Sequence, residues 1–372
     1  MIVRAQRYVH VVSILNGYVT GRGVMLGAAE HATIRRAWYA VALARDVDRK
    51  PSRTWLLGEP IVLFRAQSGE PVALRDICPH RQAPLSMGKV IGDEIQCRYH
   101  GFQFNRHGAC TKLPGEKIIP KAVQVRVFPV VETLGFIWAW GGDPTNIACN
   151  RLPVFPWLEN PQFLSHYTST VVDAPFDLIV DNLMDLTHVH FVHSILGAEN
   201  MVHDSAPMKN WEEDGRVLYT RDLKKDNGPA DRYVEIRGEF IPPSVVVTSG
   251  VPRRVGDSEI QPGPMSQVMH CLTPRTPQST QYLAVKCWNL ASRPHEVAAM
   301  QHQIEVTIAE DKEIIEAQYQ NRSVESAITE ETLVRADRAA VSARRAYNRL
   351  LEKERADLNS GGKMPVPPAV IS

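Results

Sequence analysis

Two short segments, Cys78-Pro79-His80 and Cys97-Arg98-Tyr99-His100, decide the fold of this 372-residue chain. Each segment supplies one cysteine and one histidine, and sixteen residues separate His80 from Cys97. Two thiolates and two imidazoles suit a [2Fe–2S] cluster in which one iron takes both sulfurs and the other takes both ring nitrogens. A structural zinc ion is the alternative, because Cys2His2 sets also bind zinc in tetrahedral geometry. Zinc fingers usually group like ligands, so a mixed pair in each segment favours the iron–sulfur cluster.

The residues around these segments predict a small all-β domain over residues 34–150. Runs at 38–42, 61–64 and 136–140 are rich in β-branched and aromatic residues and are separated by Gly, Pro and Asp, as short strands are. Residues 91–95 read IGDEI, which predicts a strand, a Gly-Asp turn and a second strand. Such hairpins would present the cluster ligands at their tips.

Residues 151–358 predict a second domain of mixed structure. Strand-like runs occur at 168–172, 245–247 and 282–285, and helices are expected at 178–194, 295–320 and 328–356. The fold class is therefore α+β, an all-β cluster domain followed by a domain with an antiparallel sheet flanked by helices. Residues 1–33 are interpreted as an N-terminal extension, and residues 359–372 as a flexible tail.

The bulk composition excludes several classes of partner. The chain carries 42 basic and 41 acidic residues, a net charge of +1, which gives no reason to expect nucleic acid or an acidic membrane surface. No run of 18 apolar residues predicts a membrane span. Six cysteines are too few and too scattered for a secreted disulfide framework, and residues 1–24 lack the pattern of a signal peptide. We expect a soluble, cytoplasmic protein.

A second group of candidate ligands lies in residues 181–193, which read DNLMDLTHVHFVH. Three histidines and two aspartates on an apolar background need partners if they are buried, and a metal ion would supply one. The alternative is a polar helix edge with solvated histidines.

Helix geometry alone leaves the choice among these histidines open. On a regular helix His188 and His193 lie about 140° apart, too far to share one ion, whereas His190 and His193 are three residues apart and face the same way. For His188 and His193 to converge, the helix must widen into a π-type turn or break between them.

A third candidate ligand, Asp311, lies on the predicted late helix. By the 3.6-residue repeat it falls in the middle of an apolar stripe, seven residues after Ile304 and four before Ile315. Glu310 points about 100° away by the same repeat. A lone carboxylate among isoleucines would cost several kcal/mol unless it were paired or bound to a metal.

Both motif sets resemble those of the Rieske non-haem iron oxygenases. Residues 78–88, CPHRQAPLSMG, and 97–104, CRYHGFQF, resemble the two Rieske cluster loops. Residues 181–193 look like the Asp-Asn-Leu-Met-Asp-Leu-x-His-x4-His stretch of this family, particularly its vanillate O-demethylase and dicamba monooxygenase group. The resemblance covers about residues 34–350.

The resemblance implies a role for each motif residue. His188 and His193 would bind a mononuclear Fe(II) together with Asp311, and His190 falls at a position that the motif leaves free. Asp185 would connect His188 to a cluster histidine of the next subunit. Asn182 matches a polar residue beside the iron.

By the same resemblance, the chain is the terminal oxygenase of a multi-component monooxygenase and forms a homotrimer. No Gly-x-Gly-x-x-Gly loop is present, so a separate NAD(P)H-dependent reductase, with or without a ferredoxin, would supply electrons. The expected reaction is oxidative O- or N-dealkylation of a small aromatic compound with O2. Ring or side-chain hydroxylation is the alternative within the fold, and a Rieske electron carrier without oxygenase activity is the alternative from another class. Residues 245–252, Trp288 and Asn289 are candidates for the substrate pocket.

Overall fold

The computed structural model describes most of the chain, and the residues that it describes are 13–15, 18–20, 33–149, 152–193, 201–202, 208–225, 229, 231–256, 266–289, 294–322, 324 and 331–359. The interpretation of residues 1–33 and 359–372 as an extension and a tail falls almost entirely outside these ranges. The first two strands, β1 (Ser13–Leu15) and β2 (Tyr18–Thr20), form a separate hairpin. None of the described helices has the length and apolarity that crossing a bilayer requires.

The first domain consists of short antiparallel strands in three small sheets. One sheet has the order β10-β9-β8-β7, one β11-β6-β5-β4 and one β12-β13-β3. The strands are β3 (Trp38–Leu43), β4 (Ser52–Leu56), β5 (Glu59–Arg65), β6 (Pro71–Arg75), β7 (Lys89–Ile91), β8 (Glu94–Gln96), β9 (Gln103–Phe104), β10 (Cys110–Lys112), β11 (Val127–Phe128), β12 (Val130–Thr133) and β13 (Phe136–Trp140). The predicted strand–turn–strand unit is confirmed, because β7 and β8 pair around Gly92, whose φ of 60° suits a tight turn.

The second domain is built on an eight-stranded antiparallel sheet of order β14-β21-β20-β19-β18-β17-β15, with β16 paired to β17. Its strands are β14 (Leu164–Val172), β15 (Met201–Val202), β16 (Lys209–Glu213), β17 (Arg216–Lys225), β18 (Arg232–Ile241), β19 (Val245–Arg254), β20 (Ser266–Thr276) and β21 (Ser279–Trp288). The predicted α+β class, an all-β domain followed by a sheet with helices, is confirmed.

The described residues include five α-helices beside the sheets, and one expected helix is broken. They are α1 (Pro156–Glu159), α2 (Phe176–Met184), α3 (Val189–Val192), α4 (Pro294–Arg322) and α5 (Arg338–Asn359). The continuous helix expected over 178–194 is wrong, because α2 ends at Met184 and a 3-10 turn over Leu186–His188 precedes α3. The last helix begins at Arg338, ten residues later than expected, after a 3-10 turn over Arg335–Asp337.

The two faces of the large sheet bury different partners because side chains alternate along each strand. One face, with Tyr219, Leu272 and Tyr282, packs against α2, α4 and α5. The other face, with Val247, Met269 and Leu283, packs against Phe136 and Trp138 of the first domain. The sheet therefore has helices on one face and strands of the first domain on the other, and first-domain residues such as Ile34, Tyr39 and Leu56 also join the core on the helical side.

A partly buried ion network around Arg344 fixes α2 against α5. The guanidinium of Arg344 donates to both carboxylate oxygens of Asp181, with 2.9 Å from Nε to Oδ1, and to Oε2 of Glu331 at 2.7 Å. Arg322 at the end of α4 also donates to Glu331. Because each charge in this network meets an opposite charge, the network can be buried without an uncompensated ion.

Asp177, one turn before Asp181, gives this layer a pH dependence. Burial, and secondarily the charge of Asp181, raise the pKa of Asp177 from 3.8 to about 7. The unfolded chain loses this proton near pH 3.8, whereas the folded chain keeps it to about pH 7. The contribution of Asp177 to the unfolding free energy therefore falls as pH rises through this window and is constant above it.

We predict that Asp177→Asn removes this component of the pH dependence. The loss of unfolding free energy between about pH 5 and about pH 8 should shrink by an amount on the order of a few kcal/mol at most, measured by thermal or urea unfolding. Asp214→Asn, at an exposed turn with φ 48° that Asn also adopts, is the matched control. An unchanged pH profile in Asp177→Asn would contradict the assignment.

Candidate functional site

The two cysteine-histidine loops share one backbone conformation. In each loop the cysteine N–H donates to the carbonyl five residues later, Cys78 to Ala83 at 2.9 Å and Cys97 to Phe102 at 2.8 Å. In each loop the cysteine carbonyl also accepts from the residue four positions on, which is Gln82 in the first and Gly101 in the second. Gln82 and Gly101, whose N–H groups donate these bonds, have positive φ, 58° and 73°. The tight loops thus present four ligand side chains in two equivalent pairs.

The four side chains meet in one place, with the sulfurs inside and the rings outside. Cys78 and Cys97 are each 2% exposed, whereas the rings of His80 and His100 are exposed and their centroids lie 4.5 Å apart. Phe102 stacks on His80 at 4.8 Å. Burial, with a smaller contribution from Cys97, raises the pKa of the Cys78 thiol to about 11. A thiolate at this position therefore needs a cation, and a metal cluster supplies one.

Asp76 anchors the loop that carries Cys78 and His80. Its side chain is fully buried and accepts from the backbone N–H of Ser86 at 2.6 Å and from the Ser86 hydroxyl at 2.6 Å. Arg53 donates to the same carboxylate at 2.5 Å. These bonds join the two ends of the loop that carries Cys78 and His80, so the ligand spacing is held by the protein itself.

The break after α2 resolves the problem of the two histidines. Asp185 leaves the helix with extended backbone angles, φ −133° and ψ 99°, and its Oδ1 accepts from the N–H of Thr187 at 3.0 Å. His188 closes the 3-10 turn, and His193 follows α3 with φ −105° and ψ 83°. A 3-10 turn and a helix end, rather than a π-type turn, bring the two rings to 5.3 Å between centroids.

Hydrogen bonds at Nδ1 orient both rings. His188 Nδ1 lies 2.8 Å from the backbone carbonyl of Asp185, which can only accept, so His188 carries its proton on Nδ1. His193 Nδ1 lies 2.9 Å from Oε2 of Glu310. When both rings are neutral, their Nε2 lone pairs point to a common centre, which is the arrangement that a metal ion requires.

Asp311 completes this centre from α4. Its Oδ1 lies 3.3 Å from Nε2 of His188 and 3.2 Å from Nε2 of His193. One ligand atom from each of the three residues can be chosen so that all lie within 4.8 Å of one another. Asp311 is buried with Ile304, Ile308 and Ile315 along the expected helix stripe.

The electrostatics of this centre favour a positive charge. Burial would raise the pKa of Asp311, but hydrogen bonds with His188 and His193 lower it to about 2. Burial would also lower the pKa of His193, but Asp311 and Glu310 raise it above its ordinary value.

The donor set at this centre fits Fe(II). Two imidazole nitrogens and one carboxylate oxygen are the ligands of a facial-triad iron with open positions. Asn182 donates from Nδ2 to Oδ1 of Asp311 at 3.2 Å, and its own carbonyl oxygen is buried with no donor in the described part of the chain. An unsatisfied oxygen beside three convergent ligands is consistent with a group that the site holds in addition to the protein atoms.

Sequence reasoning missed two features of this region. Glu310 points partly away from Asp311, yet it is the residue that orients His193. On the facing sheet, His270 lies 2.7 Å from the Tyr282 hydroxyl and 3.1 Å from Thr248. Burial lowers the pKa of His270 to about 3, while the charge of Asp311 acts in the opposite direction. Only the strand register, which a sequence does not reveal, places this pair opposite α4.

The other candidates occupy different positions. His190 is half-buried and does not belong to the convergent group. Val245 and Val247 pack towards the first domain, not towards α4. The expectation that these two residues line the substrate pocket is therefore corrected. Trp288 is buried at the end of β21 and Asn289 is exposed.

Comparison with known proteins adds independent findings. Residues 37–129 match the Rieske [2Fe-2S] domain, and residues 172–353 match the vanillate O-demethylase oxygenase C-terminal domain. The chain is 33% identical to the oxygenase component of dicamba O-demethylase from Stenotrophomonas maltophilia, over 87% of this chain and 99% of that protein. It is 33% identical to the oxygenase component of chloroacetanilide N-alkylformylase from Rhizorhabdus wittichii, over 86% and 96%. The crystal structure of dicamba monooxygenase bound to dicamba superposes with a TM-score of 0.77 at 29% identity, over 87% and 99%.

The bond between His193 and Glu310 gives a prediction for metal affinity. Glu310→Gln should weaken Fe(II) binding about 10–100-fold, because a partner that orients a ligating imidazole contributes this much. Anaerobic titration with Fe(II) or Co(II) measures the effect, and the cluster spectrum should not change. Glu313→Gln, an exposed carboxylate one turn further along α4, is the control, and equal affinities in the two variants would contradict the role of Glu310.

Proposed function

This chain belongs to the Rieske non-haem iron oxygenases, as an oxygenase component, and from that premise we propose that it removes an alkyl group, above all methyl, from oxygen or nitrogen of a small aromatic compound. Relatives named for O-demethylation of dicamba and for N-dealkylation of chloroacetanilides support this choice over ring or side-chain hydroxylation. Dealkylation begins with hydroxylation of the carbon attached to the heteroatom, and the resulting hemiacetal or hemiaminal collapses to an aldehyde and the free phenol or amine. Each turnover consumes one O2, two electrons and two protons and forms one water.

We assign the [2Fe–2S] ligands to Cys78 and Cys97 on one iron and to His80 and His100 on the other. The burial of both thiols and the exposure of both rings support this assignment. The cluster accepts electrons one at a time, and its histidine edge is the part that electron-transfer partners can reach.

We assign the mononuclear iron to His188, His193 and Asp311. When bound there, Fe(II) supplies the activation of O2. The protein's part is to hold a proton on Nδ1 of both imidazoles, through the carbonyl of Asp185 and the carboxylate of Glu310, so that both Nε2 atoms face the metal, and to exclude water around the Asp311 carboxylate. This convergence of two oriented imidazoles and a buried carboxylate is the single observation that carries an oxygenase rather than an electron carrier.

We propose that a homotrimer carries out electron transfer, with the cluster of one subunit serving the iron of the next through Asp185. In the described part of the chain, Oδ1 of Asp185 caps Thr187, and no donor contacts Oδ2. That oxygen can accept a hydrogen bond from a histidine of a neighbouring subunit. A separate NAD(P)H-dependent reductase, with or without a ferredoxin, would supply the electrons, and a cytoplasmic location would keep the cluster cysteines reduced.

The reaction class is tested with the purified protein, a surrogate reductase and a panel of aryl methyl ethers and N-alkyl anilides. We expect release of formaldehyde or another aldehyde in proportion to O2 uptake for at least one member. Asp311→Asn should keep the visible spectrum of the cluster but form no aldehyde. Hydroxylated products without aldehyde would favour the hydroxylase alternative. A wild type that binds only the iron of the cluster, with no mononuclear iron, would favour an electron carrier.

Asp185→Asn tests the route between subunits. Asparagine caps a helix start as well as aspartate does, so both metal centres and assembly should persist. Turnover should fall at least tenfold, because an amide oxygen forms a weaker bond to a charged donor than a carboxylate does. Single-turnover oxidation of a pre-reduced protein would locate the defect in cluster-to-iron transfer, and a normal transfer rate or a fully active monomer would refute the route.

A further inference from the structure

A buried lysine lies on the sheet face that packs against α4. Lys286 of β21 alternates with Ala284 and Tyr282, so it shares their face of the sheet. Ala284 pairs with His270 of β20, which makes Lys286 a diagonal neighbour of His270. The lysine therefore lies on the same sheet face as the His270–Tyr282 pair and is a diagonal neighbour of His270.

The ammonium of Lys286 lacks a counter-charge in the described residues. The side chain is only 6% exposed, and its Nζ donates to the neutral amide oxygen of Gln303 at 2.5 Å. No described carboxylate lies within 4.0 Å of it, although Lys312, Arg322 and Arg344 all form such pairs. A buried cation is stable when an anion or a metal-bound group pairs with it, and a neutral amide compensates only part of the cost.

The position of Gln303 relates the lysine to the metal centre. Gln303 lies on α4, eight residues before Asp311, which is a rise of about 12 Å along the helix axis. A one-ring aromatic compound held by a group at each end can bridge this separation. One end would lie at the centre formed by His188, His193 and Asp311, and the other at Lys286.

We infer that the ammonium of Lys286, supported by Gln303, binds an anionic group of the aromatic substrate, a carboxylate or a sulfonate, and so orients the opposite end of the ring towards the metal centre. This inference rests on the proposed dealkylation and narrows its substrate class. The bond is charge-assisted and buried, which makes it stronger than a contact between neutral groups.

The same geometry gives selectivity against neutral compounds. A neutral analogue leaves the ammonium buried and unpaired, so it loses the attractive bond and also leaves the cost of burying the charge uncompensated. Burial lowers the pKa of Lys286 to about 8, so near neutral pH the amine is largely protonated and ready to meet an anion.

The test compares matched ligands by calorimetry with the cluster- and iron-loaded protein at pH 7. The ligands are 4-methoxybenzoate, 4-methoxybenzenesulfonate and the neutral 4-methoxybenzamide. The wild type should bind at least one anion more tightly than the amide. Lys286→Met should weaken binding of that anion about 10–100-fold, the range for a hydrogen bond to a charged group, and change amide binding less than about threefold.

Two further variants make the result interpretable. Lys286→Gln provides a polar neutral residue in case the methionine variant does not fold, and the visible spectrum of the cluster reports folding of both. Lys209→Met, an exposed lysine on β16, controls for loss of one positive charge and should leave all affinities unchanged.

Three outcomes would overturn the inference. They are a wild type that prefers neither anion to the amide, variants of Lys286 that weaken all ligands equally, and a Lys209→Met protein that loses as much affinity as Lys286→Met. Equal weakening would mean that Lys286 supports the structure of the site and does not recognise the anionic group. Calorimetry measures binding and needs no turnover. If the activity assay released no aldehyde, dealkylation would be refuted, but the preference for anions could still be measured by calorimetry.

Discussion

The buried carboxylate of Asp311 is the constraint on which the catalytic domain depends. It lies on the isoleucine stripe of α4, where a negative charge is unstable without compensation. Two imidazoles and the amide of Asn182 converge on its Oδ1. Meeting that requirement forces α2 to end early, because one uninterrupted helix cannot direct both His188 and His193 to the same atom.

Orientation at both centres comes from hydrogen bonds remote from the ligand atoms. The carbonyl of Asp185 and the carboxylate of Glu310 accept from Nδ1 of the two histidines, and Asp76 closes the loop that carries Cys78. Ligand geometry is therefore determined by the packing of helices and loops before any metal arrives.

Much of this could be predicted from the sequence, for physical reasons that also explain the errors. The paired cluster ligands and the stripe position of Asp311 follow from short-range spacing and from the cost of burying a charge. The helix break at Asp185 did not follow, because residues 178–194 keep an apolar pattern that suits a continuous helix and the break depends on Asp185 capping Thr187. Glu310, His270 and Lys286 were missed because their partners are 12 to 117 residues away, and only the tertiary fold shows which strand faces α4.

The last helix has a consequence for how the protein is made. Through Arg344 it secures α2, and through Glu354 it accepts from the backbone N–H groups of Arg35 and Arg36, at 2.8 and 2.9 Å, across 319 and 318 residues of sequence. The bonds from Arg35 and Arg36 to Glu354 therefore cannot form during synthesis until α5 has left the ribosome. A chain released before α5 is made lacks both the Arg344 contact to α2 and the Glu354 contact to the first domain. The cluster domain and the iron domain therefore complete their packing together.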